Sequence, residues 1–353
     1  MSTNFNLPNA ENFEHTLNGK NTHLLTLRNR AGMQIALTDY GARLVSALVP
    51  DKNGNLVDVV LGFDTIANYL NAQECYHGAT IGRFANRVQN GKFVLDGQEY
   101  TLPQNNGNNC LHGGPDGFHT KVWDRQVSFR KQISFYYVSP DNEAGFPGEI
   151  KVSVNYELTD DNEILINYRA TASKRTVINM TNHAYFNLNG EGNGDILNHC
   201  VKINCSKFIE INDQQVPTGK LQSVLDTPLD FREETRIADQ ISKDHSQIKY
   251  ASGFDHSYVN SNALSQPAAS AYSQQTGIEL RIYTDYPTLH FYSGNFLSDD
   301  EGKSGKKYLR NGGFCFEAQH YLDGPNQSEF PLFVIEPGKE YNFNIKYKFC
   351  MRK

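Results

Sequence analysis

The chain has 353 residues, 39% of them hydrophobic and 20% charged, with a formal net charge of -6 at pH 7. It is long enough to bury a large core, and the negative balance disfavours a nucleic-acid or anionic-membrane surface, which needs a clustered basic patch. The short basic run Lys306-Lys307 with Arg310 is interrupted by Tyr and Leu and reads as a solvated loop. Aromatics make up 12%, with Phe 21 and Tyr 19 against one Trp, a composition that leans toward strands. Residues 1–15 contain neither a basic n-region nor an apolar h-region, so no signal peptide is expected. No apolar run approaches the length of a membrane span. The six cysteines include no C-x-x-C pair. A cytoplasmic protein with reduced thiols is the expectation.

Strand signals then recur from end to end. Residues 24–27, 34–37 and 42–49 read as strands, followed by the apolar run 56–61. Between Phe93 and Leu102, Asp96-Gly97 separates two β-type runs, the strongest short hairpin signal. Ile150, Val152, Val154, Tyr156 and Leu158 alternate with polar residues, and Asp160-Asp161-Asn162 turns the chain into residues 163–170. That is a second hairpin with one buried face. Later strands are expected over 201–211, 279–284, 288–292, 313–317 and 341–349. Residues 260–275 are rich in Ser, Ala, Asn and Gln and read as an exposed excursion. Helical periodicity is nearly absent, with short helices possible at 64–71 and 233–241. The expected fold is all-β: one domain over residues 1–353, with antiparallel strands in stacked sheets and few short helices.

Some stretches carry more compact polar side chains and glycine than a strand needs. They are Ile81-Gly82-Arg83-Phe84-Ala85-Asn86-Arg87, Asn105 through Gly114, Asn179 through Leu188, Cys315-Phe316-Glu317-Ala318-Gln319, Gly253-Phe254-Asp255-His256, and His290 through Phe296. Asn, Arg, Asp and His suit a ligand covered in hydroxyls, each of which donates and accepts. Neighbouring aromatics (Phe291, Tyr292, Tyr185, Phe118, Trp123) could pack on the apolar face of a pyranose ring. The alternative is that the Asn-Gly stretches are turns and the histidines are satisfied core or surface groups.

Of the 11 histidines, His15, His23, His119, His199 and His245 sit in polar contexts and read as surface residues. His77 and His320 read as structural. His112 precedes Gly113-Gly114, where backbone can approach a ligand closely, and His183 sits in a polar strand motif. Both are candidates. Glu317 would share a strand face with Cys315 and oppose Phe314 and Phe316, which leaves it either at a sheet surface or in a cleft.

At these residues the chain closely resembles the galactose mutarotase (aldose 1-epimerase) family. The matching motifs run in order over almost the full length: Asp39-Tyr40-Gly41-Ala42, Val59 through Phe63, Gly78 through Arg87, Leu111-His112-Gly113-Gly114, Gly145 through Glu149, Thr181 through Leu188, Pro217-Thr218-Gly219, Phe254-Asp255-His256, Tyr292 through Phe296, and Phe314 through Gln319. The resemblance implies a large β-sandwich of the galactose mutarotase type with its site in a cleft on one sheet. It implies interconversion of the α and β anomers of free hexoses, with D-galactose and D-glucose the expected substrates. It assigns Glu317 as general base, His183 as general acid and His112 as a second active-site histidine. Asn86, Arg87 and Asp255 match residues that bind sugar hydroxyls. His290 stands where many relatives have Gln, so the preferred sugar is open there.

Mutarotation moves only protons, so no cofactor or metal is required, and neither a P-loop nor a G-x-G-x-x-G fingerprint is present. The expected partner is a small sugar, without nucleic acid or membrane, on a monomer or weak homodimer. Three other readings stay open. A metal-dependent sugar enzyme would use His112, His183 and Glu317 as ligands. A non-catalytic module would bind sugar without turnover. A hexose-phosphate mutarotase would need cations such as Arg83 and Arg87 at the cleft.

Overall fold

A computed structural model describes residues 7–128 and 131–352. Residues 1–6, the start of the stretch in which no signal peptide is expected, lie outside the described residues. Strands dominate, and among the described residues the α-helices are Ile66–Asn71, Ile237–Ile241 and Ser246–Ala251. None is long and apolar enough to cross a membrane.

Two antiparallel sheets form the body. The larger has nine strands in the order Asp124–Ser128, Gln132–Ser139, Ile150–Leu158, Glu163–Ala172, Glu340–Met351, Ile278–Thr284, Ala269–Tyr272, Cys200–Ile203 and Thr235–Arg236. The smaller has six: Tyr185–Phe186, Phe314–Gln319, Thr288–Tyr292, Asp255–Val259, Lys207–Ile211 and Pro217–Ser223. A four-stranded sheet, Leu24–Arg28, Gln34–Thr38, Arg43–Pro50 and Leu56–Asp58, comes from the N-terminal part.

The period-two pattern explains the stacking. Ile150, Val152, Val154, Tyr156 and Leu158 all enter one core, joined by Tyr347 from the neighbouring region of the same sheet. Phe314, Phe316 and Ala318 of the six-stranded sheet enter that core too. Tyr347 donates through its hydroxyl to the Phe316 carbonyl at 3.2 Å, and its ring meets Phe186 edge-on at 5.1 Å. Burying each such aromatic is worth roughly 1.5–3 kcal/mol, so the sandwich is held chiefly by this layer. The opposite face of the six-stranded sheet is thereby left to carry Glu317, His290 and Asp255.

The structure departs from the sequence expectation in four places. The run 201–211 is two strands in different sheets, Cys200–Ile203 and Lys207–Ile211; the Asn204 side chain turns aside to donate to the Pro267 carbonyl at 2.8 Å. Residues 260–275 are not all exposed, because the small residues Ala268, Ala269 and Ala271 are buried and Ala269–Tyr272 is a strand. Helix formation in 233–241 begins only at Ile237, since Thr235–Arg236 pairs with Cys200 and Val201. The helix Ser246–Ala251 was not foreseen; His245 Nδ1 caps it by accepting from Gln247 N–H at 3.2 Å.

Candidate active site

Strand register brings the polar residues together. Antiparallel pairing sets His290 opposite Glu317 and Tyr292 opposite Cys315. On the next strand Ser257 pairs with His290 and Asp255 with Tyr292. On the other side Tyr185 pairs with Cys315. His183, two residues before Tyr185, therefore arrives beside Glu317, and its Nε2 lies 3.6 Å from Glu317 Oε1. Asn182 shapes the turn that delivers His183: its Nδ2 donates to the Gly78 carbonyl at 2.9 Å and its Oδ1 accepts from Ala184 N–H at 3.2 Å.

The remaining walls are loops. Cys110–Leu111 pairs with Arg87–Val88, which sets His112 against Asn86. His112 N–H donates to the Asn86 carbonyl at 3.2 Å, and Asn86 N–H donates to His112 Nδ1 at 3.1 Å. Asn86 holds φ 66° and His112 φ 55°, a left-handed conformation that Asn tolerates best. Gly113 follows at φ 84°, where an added Cβ would lie 2.2 Å from the Gly82 carbonyl oxygen, so only glycine closes this turn. Arg87 donates from Nε to Asn106 Oδ1 at 3.0 Å and from Nη2 to Gln215 Oε1, and its Nη1 lies 3.5 Å from Asp255 Oδ2.

These groups line one cleft of about 570 Å³. All seven residues singled out for the site are in it: Glu317, His183, His112, Asn86, Arg87, Asp255 and His290. Glu74, Tyr76, His119 and Gln215 also line it and were missed, since they sit in loops without a pattern. His119 and His199, read as surface residues, are 2% and 1% exposed. Of the aromatics proposed for a sugar face, Tyr185 and Tyr292 line the cleft. Phe291, Phe118 and Trp123 pack in the main core instead. Strand parity was the available signal for Phe291, because it alternates with His290 and Tyr292. Phe296, 52% exposed at the rim, stacks on Tyr292 with ring centroids 6.5 Å apart.

Burial dominates the electrostatics. It pushes the Glu317 carboxyl well above the usual carboxylate range, helped by the negative charges of Asp255 and Glu74 and opposed by Arg87. It pulls His183 down to about 3 and His112 well below the ordinary imidazole value. Burial also works to raise Asp255, but Arg87 and the His290 hydrogen bond outweigh it and hold that carboxylate low. Burial thus favours the uncharged form of both Glu317 and His183. Glu317 Oε2 is buried without a hydrogen-bond partner among the described residues.

One nitrogen from each of His112 and His183 and one oxygen of Glu317 come within 4.8 Å of one another, so the metal reading is a geometric question after all. The donor chemistry does not suit it. A ligating histidine donates its second ring N–H to an acceptor, whereas His112 Nδ1 faces the donor Asn86 N–H. Its proton is therefore on Nε2, the nitrogen a metal would need. The phosphate reading loses a cation as well. Arg83 points away from the cleft into the carbonyls of Phe146, Pro147, Gly148, Ser139 and Pro140.

An antiparallel sandwich whose free sheet face opposes a carboxyl to an imidazole, inside a cleft walled by amide, guanidinium and carboxylate groups, defines a carbohydrate-acting β protein with acid–base capacity. Comparisons with known proteins narrow this class. The profile of the aldose 1-epimerase family matches residues 23–348. The chain is 40% identical to the galactose mutarotase of Bos taurus over 321 residues, 90% of this chain and 92% of that protein. It is 38% identical to the aldose 1-epimerase of Escherichia coli K12 over 335 residues, 94% and 96% of the two chains. The crystal structure of an aldose epimerase homologue from C. elegans superposes with a TM-score of 0.87 at 32% identity, covering 94% of this chain and all of that one. The chain belongs to the aldose 1-epimerase family: it is an isomerase, and its reaction is mutarotation of an aldose.

Proposed function

We propose that the chain interconverts the anomers of free D-galactose and D-glucose, with Glu317 and His183 moving the protons. The carrying observation is the 3.6 Å approach of His183 Nε2 to Glu317 Oε1 inside the polar cleft. Ring opening takes a proton from the C1 hydroxyl and gives one to the ring oxygen. Glu317, as carboxylate, accepts the first; His183, as imidazolium, supplies the second. The step leaves Glu317 protonated and His183 neutral, the uncharged forms that burial favours. Rotation about C1–C2 presents the other aldehyde face, and closure runs the transfers in reverse.

Positioned proton transfer is worth about 10²–10⁴-fold per group. Asp255, Arg87 and Asn86 hold sugar hydroxyls, since a forked guanidinium and a carboxylate each engage vicinal hydroxyls. His112 offers Nε2–H to a further oxygen. The six cysteines stand unpaired, which supports a cytoplasmic protein, and the chain acts as a single domain on a monomer or weak homodimer. The experiment is polarimetry on pure α-D-galactose with EDTA present. Wild type should accelerate the approach to the same equilibrium rotation. Glu317→Gln and His183→Asn should each lose several powers of ten. Near-native activity of either variant would refute the assignment.

A further inference from the structure

His290 matches a position expected to touch sugar, yet both of its ring nitrogens are taken. Nε2 lies 2.6 Å from Asp255 Oδ1, and Nδ1 lies 2.8 Å from Ser257 Oγ. Behind them Gln319 Nε2 donates to Ser257 Oγ at 3.3 Å. Ser257 accepts from Gln319, which leaves its own hydroxyl proton free to be donated to His290 Nδ1. An imidazole that accepts at Nδ1 carries its proton at Nε2, and the group waiting there is the Asp255 carboxylate. The string runs one way, from Gln319 through Ser257 and His290 to Asp255.

Ser257 and Gln319 are fully buried, and neither lines the cleft. This serine is no nucleophile, because a nucleophilic serine must face its substrate. The string ends at Asp255, whose Oδ2 lies toward Arg87 at 3.5 Å.

We propose that His290 is a positioning residue: Ser257 and Gln319 orient its ring from behind, and it holds Asp255 with Oδ2 turned to Arg87 and to a sugar hydroxyl. Sugar selection at this corner then rests with Asp255 rather than with the side chain at position 290. The proposal builds on the reading that the cleft binds a free hexose.

The test compares wild type, His290→Ala, His290→Gln and Ser257→Ala by polarimetry on α-D-galactose, with melting temperatures recorded alongside. Loss of a charge-assisted hydrogen bond predicts a KM for His290→Ala raised roughly 10–100-fold, with kcat changed far less. His290→Gln, whose amide can still donate to Asp255, should recover most of that loss. Ser257→Ala should raise KM several-fold although it touches no sugar. A wild-type KM in Ser257→Ala overturns the proposal, as does a His290→Ala variant that loses kcat at unchanged KM. So does a His290→Gln variant as impaired as His290→Ala. If His290→Ala fails to fold, Ser257→Ala and His290→Gln still decide.

A readout without sugar separates this from the reaction itself. A proton shared between His290 Nε2 and Asp255 should give a downfield proton NMR signal, absent in His290→Gln and shifted in Ser257→Ala. Its absence in wild type, or indifference to Ser257→Ala, overturns the string even if mutarotation is fast. Its presence in a protein inactive on galactose and glucose would leave the string standing and refute the proposed reaction.

Discussion

The backbone N–H of Asn86 donates to Nδ1 of His112 across 3.1 Å, and that one contact decides what His112 can do. With Nδ1 accepting and burial opposing a charge, the ring is neutral and carries its proton on Nε2. It is a fixed donor aimed at the cleft, edge-on to His183 at 5.1 Å between centroids. His112→Ala should lower kcat/KM by roughly 10–100-fold, the value of one well-placed hydrogen bond in a buried site. Nitrogen-15 NMR should show an unprotonated Nδ1 from pH 8 down to pH 5. Zinc added to EDTA-stripped protein should show no stoichiometric binding by calorimetry; tight binding at one site would mean that the ring turns over and the tautomer assignment is wrong.

Glu74 introduces a titration at ordinary pH. Burial raises its carboxyl to about 7, opposed by the Tyr76 backbone N–H that donates to Oε1 at 3.1 Å. Its ionisation places a second negative charge beside Glu317, which makes the Glu317 carboxylate harder to form. Wild-type kcat/KM should therefore change with an apparent pKa near 7 and decline above it. Glu74→Gln should remove that inflection and keep the alkaline side flat. His183, held at about 3, should add no acid limb near the usual histidine value of about 6.5. An inflection near 7 that survives in Glu74→Gln belongs to some other group.

Much of this site was legible in the sequence, and the boundary has a physical basis. The alternation Phe314, Phe316 against Cys315, Glu317 puts Glu317 on the face away from the aromatic layer, as found. Which strand lies beside it was not legible, because pairing of Thr288–Tyr292 with Phe314–Gln319 is a long-range choice of register. The occupied nitrogens of His290 follow from that choice. Tyr76 and Glu74 carry no periodic signal; their place comes from loops pinned by distant groups, such as Asp300, whose carboxylate accepts from Gln73 and Glu74 N–H at 3.0 and 3.1 Å. The stretch 201–211 reads as one strand because apolar residues recur through it at Val201, Ile203, Cys205, Phe208, Ile209 and Ile211, and the change of sheet falls between Ile203 and Lys207.

Buried neutral histidines make the fold acid-sensitive. Burial holds His119, His256 and His320 at about 3 and His199 at about 4. Their unfolded value is about 6.5. The unfolded chain therefore binds more protons below that value, so their stabilising contribution is complete above pH 6.5 and lost as pH falls toward the folded values. Each such group removes about 2 kcal/mol by pH 5. Four of them amount to a large fraction of a typical net stability of about 5–15 kcal/mol. The melting temperature should fall steeply between pH 6.5 and 5, even though Glu74, raised to about 7 in the fold, works in the opposite direction as pH falls. His320 is the cleanest probe: its ring stacks on Phe333 at 4.2 Å and its Nε2 has no partner. His320→Phe should make the acid fall shallower. An unchanged slope would show that His320 does not take part.

Arg43 sits outside the cleft and holds its wall. It is wholly buried, stacked near the Tyr40 and Tyr69 rings at 4.9 and 5.0 Å. Its nitrogens donate to the carbonyls of Tyr40 (3.1 Å), Cys75 (2.9 Å), His77 (2.9 Å) and His119 (2.7 Å). Three of those carbonyls belong to the loops that present Glu74, Tyr76 and His119 to the cleft. Only a planar fork reaches four such acceptors at once; an ammonium has three donors from a single point. Arg43→Lys should leave at least one buried carbonyl unpaired, which costs about 1–3 kcal/mol, and should lower the melting temperature by several degrees. It should also raise KM, because the loop wall loosens while Glu317, on the sheet, and His183, on the turn that enters Tyr185–Phe186, stay in place. Arg43→Ala, which strands all four carbonyls, should be the more severe on both measures. Equal loss of kcat and unchanged KM in Arg43→Lys would show instead that the loops help to align the proton-transfer pair.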